Sequence, residues 1–248
     1  SEGDFNFDDE TTITDVAGDA FVVTGGTGNI TYDGDITNQT AQSISISNRT
    51  EGTVSFGPTA EIIDNGDHTL STGASNAVEV TDNSDVDVSF SDLNITTTTG
   101  TGFNVEGNAT GTTTVAVSGT TSTITTDGGI GINIEEATID NTGVTFASVN
   151  IDSKATSSAI IIQDTEGGSV AVNGGTIVDS TDTAIIATDA SGLIIDGVTV
   201  TDSDAGAIAA DNVDILTIND LTITNTDGDA ITATNLGTMI MNSTTVTN

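Results

Sequence analysis

The sequence predicts an all-β chain wound into a stacked coil, and three observations predict it. The last 66 residues repeat themselves every 23. Each repeat is built from short runs rich in Thr, Val and Ile, separated by Asp, Asn and Gly, which is strand and turn vocabulary. Helix formers are scarce, and the single proline, Pro58, leaves little to interrupt a β ladder. A period in the twenties made of such runs belongs to folds that grow in one dimension, each unit touching only its neighbours.

The repeat is plainest near the C-terminus. Ala184-Ile185, Ala207-Ile208 and Ala230-Ile231 align, followed by Leu193-Ile194-Ile195, Leu216-Thr217-Ile218 and Met239-Ile240-Met241. Val198-Thr199-Val200-Thr201 then lies over Leu221-Thr222-Ile223-Thr224 and Thr244-Thr245-Val246-Thr247. The same mark runs backwards through Ala159-Ile160, Gly131-Ile132, Gly102-Phe103, Ala77-Val78, Ser43-Ile44 and Ala20-Phe21, which makes about nine coils of 23–34 residues. The longest unit holds extra residues around Gly57-Pro58 and Asp64-Asn65-Gly66-Asp67.

Each coil reads as three short strands, in one unit Ala184–Thr188, Leu193–Ile195 and Val198–Thr201. Val198 and Val200 point one way and Thr199 and Thr201 the other, the alternation of a half-buried strand. Turns at Asp196-Gly197 and Asp202-Ser203-Asp204 close a three-sided tube. Each strand then pairs in parallel with its counterpart one coil away, about 4.8 Å distant. Small inward side chains fit a narrow lumen, and a run of Phe is not expected there. Asp196, Asn219 and Asn242 share one turn position, where side-chain amides can bond along the stack; turn preference alone also accounts for them.

Residues 1–18 do not fit the register and read as an irregular leading coil or a cap. Residues 19–248 read as one continuous array. The chain stops at Asn248, after a strand and before the closing turn, so the array is expected to continue in the natural chain. It starts at Ser1 without a signal peptide, and reads as a mature product or an excised segment.

There are 37 acidic residues and two basic ones, Arg49 and Lys154, for a net charge of -35. That surface repels nucleic acid, anionic lipid and acidic polysaccharide, and tolerates high salt. Apolar residues make up 35% and are placed periodically, which argues against disorder. There is no cysteine, so no disulfide or thiol chemistry. No apolar run approaches the roughly 18 residues of a membrane-spanning helix.

The Gly/Ala-Ile start, the paired runs with Asp or Asn between them and the Thr-Asp-rich closing turn resemble right-handed parallel β-helix proteins. The resemblance covers about Asp19 to Asn248. That superfamily includes pectin-degrading enzymes, phage tailspikes and repetitive regions of secreted prokaryotic surface proteins. It implies a fold and leaves the function open, since one scaffold hosts enzymes and inert stalks.

Five candidate sites stand against plainer readings. Asn225-Thr226-Asp227-Gly228 is similar to the first signature of polygalacturonases. None of the Asp-Asp, Gly-His-Gly and Arg-x-Lys motifs that the resemblance also requires occurs after Asp227, and Thr201-Asp202-Ser203-Asp204 repeats the same turn, so repeat punctuation accounts for it. β-Helix lyases resemble one another in using a basic residue or a His/Tyr pair. Here His68 and Tyr32, the single histidine and tyrosine, fall on different coils. Asp202, Asp204, Asp227 and Asp229 gather on adjacent closing turns, where Ca²⁺, which takes six to eight oxygens, would relieve their repulsion; the alternative is a solvated acidic edge. Thr199/Thr201, Thr222/Thr224 and Thr245/Thr247 form two outward columns similar to the ice-binding faces of some solenoids. Thr176 extends the first column and Val178 breaks the second. Sequons at Asn29, Asn38, Asn48, Asn94, Asn108 and Asn242 are candidate glycosylation sites.

The reading that follows is a structural or adhesive, non-catalytic segment of an extracellular surface or filament protein. It acts as a rigid acidic spacer that stacks end to end on copies or adjacent domains. It requires no cofactor, with Ca²⁺ the one candidate ion, and contacts glycans or surfaces rather than nucleic acid or a membrane interior. A carbohydrate-active hydrolase or lyase, and an ice- or glycan-binding module with a Thr face, are the alternatives.

Overall fold

The computed structural model describes residues 3–14, 16–37, 44–62, 70–71, 76–107, 111–154 and 158–247. Among them there is no helix, and every recorded strand pairing is parallel. The chain is a β-solenoid with three strand columns, here called its first, second and third sides.

The first side carries the Ala-Ile mark. Its rungs begin at Phe21, Ile44, Val78, Phe103, Ile132, Ile160, Ile185, Ile208 and Ile231, each in register with the next. Nine rungs joined by eight pairings make about eight turns, a count slightly different from the nine coils expected. Eight steps of about 4.8 Å give a stack about 38 Å long. Ile185 and Ile208 are fully buried in one interior column, and Ile231 packs against it from the last rung.

Some turns keep three short strands, as in Phe103–Glu106, Thr113–Val117 and Thr123–Asp127, and in others two of the runs merge. Ile185–Asp196 and Ile208–Asn219 each cover the first and second sides in one twelve-residue strand. The bend between the sides falls at Asp189 and Asn212, both at positive φ (51° and 54°). Asp and Asn tolerate this left-handed conformation best among residues with a side chain, so the ladder turns the corner without breaking. The same corner carries positive φ at Asn48, Asp82, Glu136, Asp164 and Asn235 (55°, 54°, 50°, 49° and 51°).

The third side runs through Thr123–Asp127, Ser148–Asp152, Gly175–Val178, Val198–Ser203 and Thr222–Thr226 to Thr245–Thr247. Its closing corner is tied by hydroxyls that reach three residues ahead. Thr97 donates to the Gly100 carbonyl (2.9 Å), Thr126 to Gly129 (3.1 Å) and Ser203 to Gly206 (2.6 Å). The leading residues join the stack: Phe5–Phe7 pairs with Ile30–Tyr32, and Thr12–Thr14 with Asp35–Thr37.

The lumen corrects one expectation. Phe7, Tyr32, Phe56 and Phe90 follow one another in register on the second side, with Phe21, Phe103 and Phe146 packed among or after them. Phe56 and Phe90 stack face to face, 4.9 Å apart at 7°. A ladder spaces its rungs by about 4.8 Å, which is close to the separation that offset rings prefer. On the second side one ring per rung therefore stacks without crowding. Beyond Phe146 the interior is aliphatic, with Leu193, Ile195, Leu216 and Ile218 fully buried.

Candidate functional site

The closing corner of the last turns gathers three of the four acidic residues singled out for Ca²⁺. Asp202, Asp204 and Asp227 share an open cleft of about 380 Å³ with Asp179, Asn225 and Lys154. Asp229 is not part of its wall. Register explains the gathering: Ser203 pairs with Thr226, which sets Asp202 beside Asn225 and Asp204 beside Asp227. The backbone N–H groups of Asp204 and Asp227 donate to Ser180 and Ser203 one rung away, which fixes the turn and leaves the carboxylates outside.

Two features there meet the negative charge from within the chain. The Asn225 amide donates to the Asp202 carboxylate. The Lys154 ammonium bridges Asp152 (2.7 Å) and Asp127 (2.9 Å), which are neighbours in the ladder. The hydrogen bonds it donates to those carboxylates, to Asp152 first, hold the Lys154 pKa above its ordinary value. Among the described residues no three His, Asp or Glu side chains are set to hold a metal ion.

Elsewhere the same device recurs. Asp196, Asn219 and Asn242 stand in register as expected, and the Asn242 amide donates to Asn219 (2.9 Å). Asn212 donates to Asp189, and Asn235 to Asp211 (2.8 Å). The Thr234 hydroxyl, then the Asn235 amide, hold the Asp211 pKa below its ordinary value. At Asp140 the Thr142 backbone N–H, then its hydroxyl, act in the same direction.

The outward Thr columns are in register over the predicted three rungs. The first column is longer than the repeat suggested. It runs from Thr96 through Thr125, Asn150, Thr176, Thr199 and Thr222 to Thr245. The unequal unit lengths upstream hid those positions. Val178 pairs with Thr201 and ends the second column, as read from the sequence.

The sequons differ in setting. Asn29, Asn48 and Asn242 are exposed, and Asn94 is half-buried. The Asn29 carbonyl accepts from the Thr53 backbone and hydroxyl, and that of Asn94 from the Thr123 hydroxyl (2.8 Å). Asn38, Asn108 and His68 lie outside the described residues.

Among the described residues, the groups invoked for catalysis do not converge. Tyr32 is buried in the aromatic stack, 1% exposed, and its hydroxyl donates to the Thr11 carbonyl (3.3 Å). Arg49 and Lys154 line separate clefts. Arg49 is 3% exposed and donates to the carbonyls of Gly25, Gly28 and Glu51. Asn83 accepts from the Arg49 backbone N–H and donates to the Ile46 carbonyl, so this corner ties three successive turns together. Burial holds the guanidinium pKa below its ordinary value. Nothing in the sequence marked Arg49 as an interior clamp.

No family model matches the chain, and neither a curated protein nor a solved structure matches it.

Proposed function

We propose that this chain is a rigid, acidic spacer in an extracellular surface or filament protein, and that its work is mechanical rather than catalytic. The observation that supports this reading is the unbroken register of the first side from Phe21 to Ile231. Every interior rung is bonded on both edges, so bending the rod must break backbone ladders rather than open a hinge. The charge of -35 keeps such rods apart at low salt and lets them approach where salt screens it. End-to-end stacking on copies or adjacent domains, and glycans on Asn29, Asn48 or Asn242, belong to the same reading. Immunogold electron microscopy of the source cells tests it. Label on the cell surface or on shed filaments is expected, and label confined to the cell interior overturns it.

The length of the Thr96–Thr245 column favours one second reading, a flat face that binds an ordered surface such as ice. Thermal hysteresis that disappears in Thr199→Lys and Thr222→Lys would establish it, and no hysteresis in the parent chain removes it.

A further inference from the structure

The corner between the second and third sides closes in two ways. Where Asp196-Gly197 and Asn219-Asp220 make it, the second residue takes positive φ (64° at Gly197, 46° at Asp220). Its backbone N–H then donates one rung along, from Gly197 to the Asn219 carbonyl (3.0 Å) and from Asp220 to the Asn242 carbonyl (3.1 Å). Asn173-Gly174 stands at the same corner one rung earlier, because Val172 pairs with Ile195 and Gly175 with Val198. There the positive φ moves one residue on, to Gly175 (106°). The bonds of that corner run from the Asn173 N–H to the Phe146 carbonyl (2.9 Å) and from the Val149 N–H to the Gly174 carbonyl (3.0 Å). Among the described residues the Gly174 N–H has no acceptor.

The side chain beside that free N–H is open to attack. Asn173 is exposed. It lines an open cleft of about 350 Å³ with Ser118, Thr120, Thr142 and Thr145, a wall of hydroxyls and one amide without a carboxylate. Water and hydroxide therefore reach the amide without meeting fixed negative charge at the wall. Gly174 has no side chain to shield the Asn173 amide carbon. Asparagine is among the thermolabile residues, and its reaction needs what this corner supplies: an unbonded N–H on the next residue, and solvent.

We propose that Asn173-Gly174 is a self-modification site, at which the folded chain converts Asn173 to aspartate and isoaspartate. Hydroxide takes the Gly174 amide proton. The Gly174 nitrogen bonds to the Asn173 Cγ, and the side-chain nitrogen leaves as ammonia. One water then opens the five-membered imide. Breaking the Cγ–N bond gives aspartate. Breaking the bond from the main-chain carbonyl carbon to that nitrogen leaves the backbone running through Cγ, as isoaspartate. Either product places a new carboxylate about one rung, or about 4.8 Å, from Asp196. Isoaspartate also lengthens the backbone of a corner that the ladder holds on both flanks. The conversion is therefore a one-way loosening of this corner with age. Asp196-Gly197 is held back from the corresponding reaction, because its Gly N–H is bonded to Asn219.

The test ages the intact protein in ¹⁸O-water at mildly alkaline pH and physiological temperature, beside the free peptide Ala-Val-Asn-Gly-Gly-Thr. Samples are digested in acid, where the reaction stops, and mapped by mass spectrometry with fragmentation that separates isoaspartate from aspartate. Asn173 should convert at a rate within about tenfold of the free peptide, with one ¹⁸O per converted chain, isoaspartate among the products and a rate that rises with pH. Asn219 and Asn242 should stay intact over the same period. Conversion at Asn65-Gly66, which lies outside the described residues, falls in a separate peptide and is counted separately. A rate at Asn173 more than about tenfold below that of the peptide would overturn the proposal. So would a product without isoaspartate, a rate indifferent to pH, or equal conversion at Asn219, which would assign the reaction to unfolded chains.

Discussion

Replacing Asn225 with aspartate turns a stabilising contact of the closing corner into a repulsive one. Asp179, Asp202 and Asn225 occupy successive rungs with positive φ (54°, 56° and 56°), and the Asn225 amide donates to Asp202. Asn225→Asp removes that donor and sets a third carboxylate in the column. At a rung spacing of about 4.8 Å and full water dielectric, the new repulsion is about 0.9 kcal/mol. The lost hydrogen bond to an exposed charged group adds about 1 kcal/mol. The sum, about 2 kcal/mol, lowers the melting midpoint by about 4–8 °C for a chain of this size. Salt separates the two contributions. At about 1 M the screening length is about 3 Å, so the repulsive part falls to about a fifth, whereas at about 10 mM it persists. Circular dichroism melts of parent, Asn225→Asp and Asn225→Ala at both salt levels are the assay. The aspartate should recover about a third of its loss in high salt, and the alanine should keep its loss unchanged. An aspartate penalty equal at both salt levels, or none at either, would refute the stacked-column reasoning.

Further predictions concern the core, the corner clamp, pH and metal. Ile208→Ala hollows the interior column between Ile185 and Ile231 and should cost about 2–5 kcal/mol by chemical denaturation, whereas Ile240→Ala, on a side chain 46% exposed, should be near neutral. Gly52→Ala should destabilise through the corner clamp, because φ is +92° and the added Cβ would meet the Thr27 carbonyl at 2.7 Å; its melting midpoint should fall. Asp211 has a folded pKa below its unfolded one. Its contribution is therefore present above the ordinary carboxylate range and is lost as pH falls through the folded value. Asp211→Asn should flatten the acid limb of the stability profile and leave its alkaline limb unchanged. Ca²⁺ and Mg²⁺ should raise the midpoint equally at matched ionic strength, as screening requires; an excess for Ca²⁺ that Asp204→Asn abolishes would assign a site at the closing corner.

What was legible in the sequence followed the constancy of its period. Ile185, Ile208 and Ile231 are equally spaced, so their shared column could be read directly, as could Thr199, Thr222 and Thr245. Thr125 and Thr96 belong to the same column, but turns of unequal length separate them and removed the register cue. The aromatic stack was missed for another reason. Phe56 and Phe90 are 34 residues apart, and only the ladder brings their rings together. Arg49 was opaque because arginine is ordinarily exposed, and its carbonyl partners have no side-chain signature. At the acidic corner, Asp202, Asp204 and Asp227 could be placed by counting. The Lys154 contact to Asp127 and Asp152 could not, because it depends on a corner in another turn.

In-register stacking is tested most directly by disulfide mapping, since the chain has no cysteine of its own. Thr199→Cys combined with Thr222→Cys should oxidise readily, because adjacent rungs hold Cα atoms within the roughly 4.4–6.8 Å that a disulfide spans. Thr199→Cys combined with Thr224→Cys should remain reduced under the same conditions. Equal closure of both pairs, or closure of the second alone, would contradict the parallel register from which the spacer function is derived.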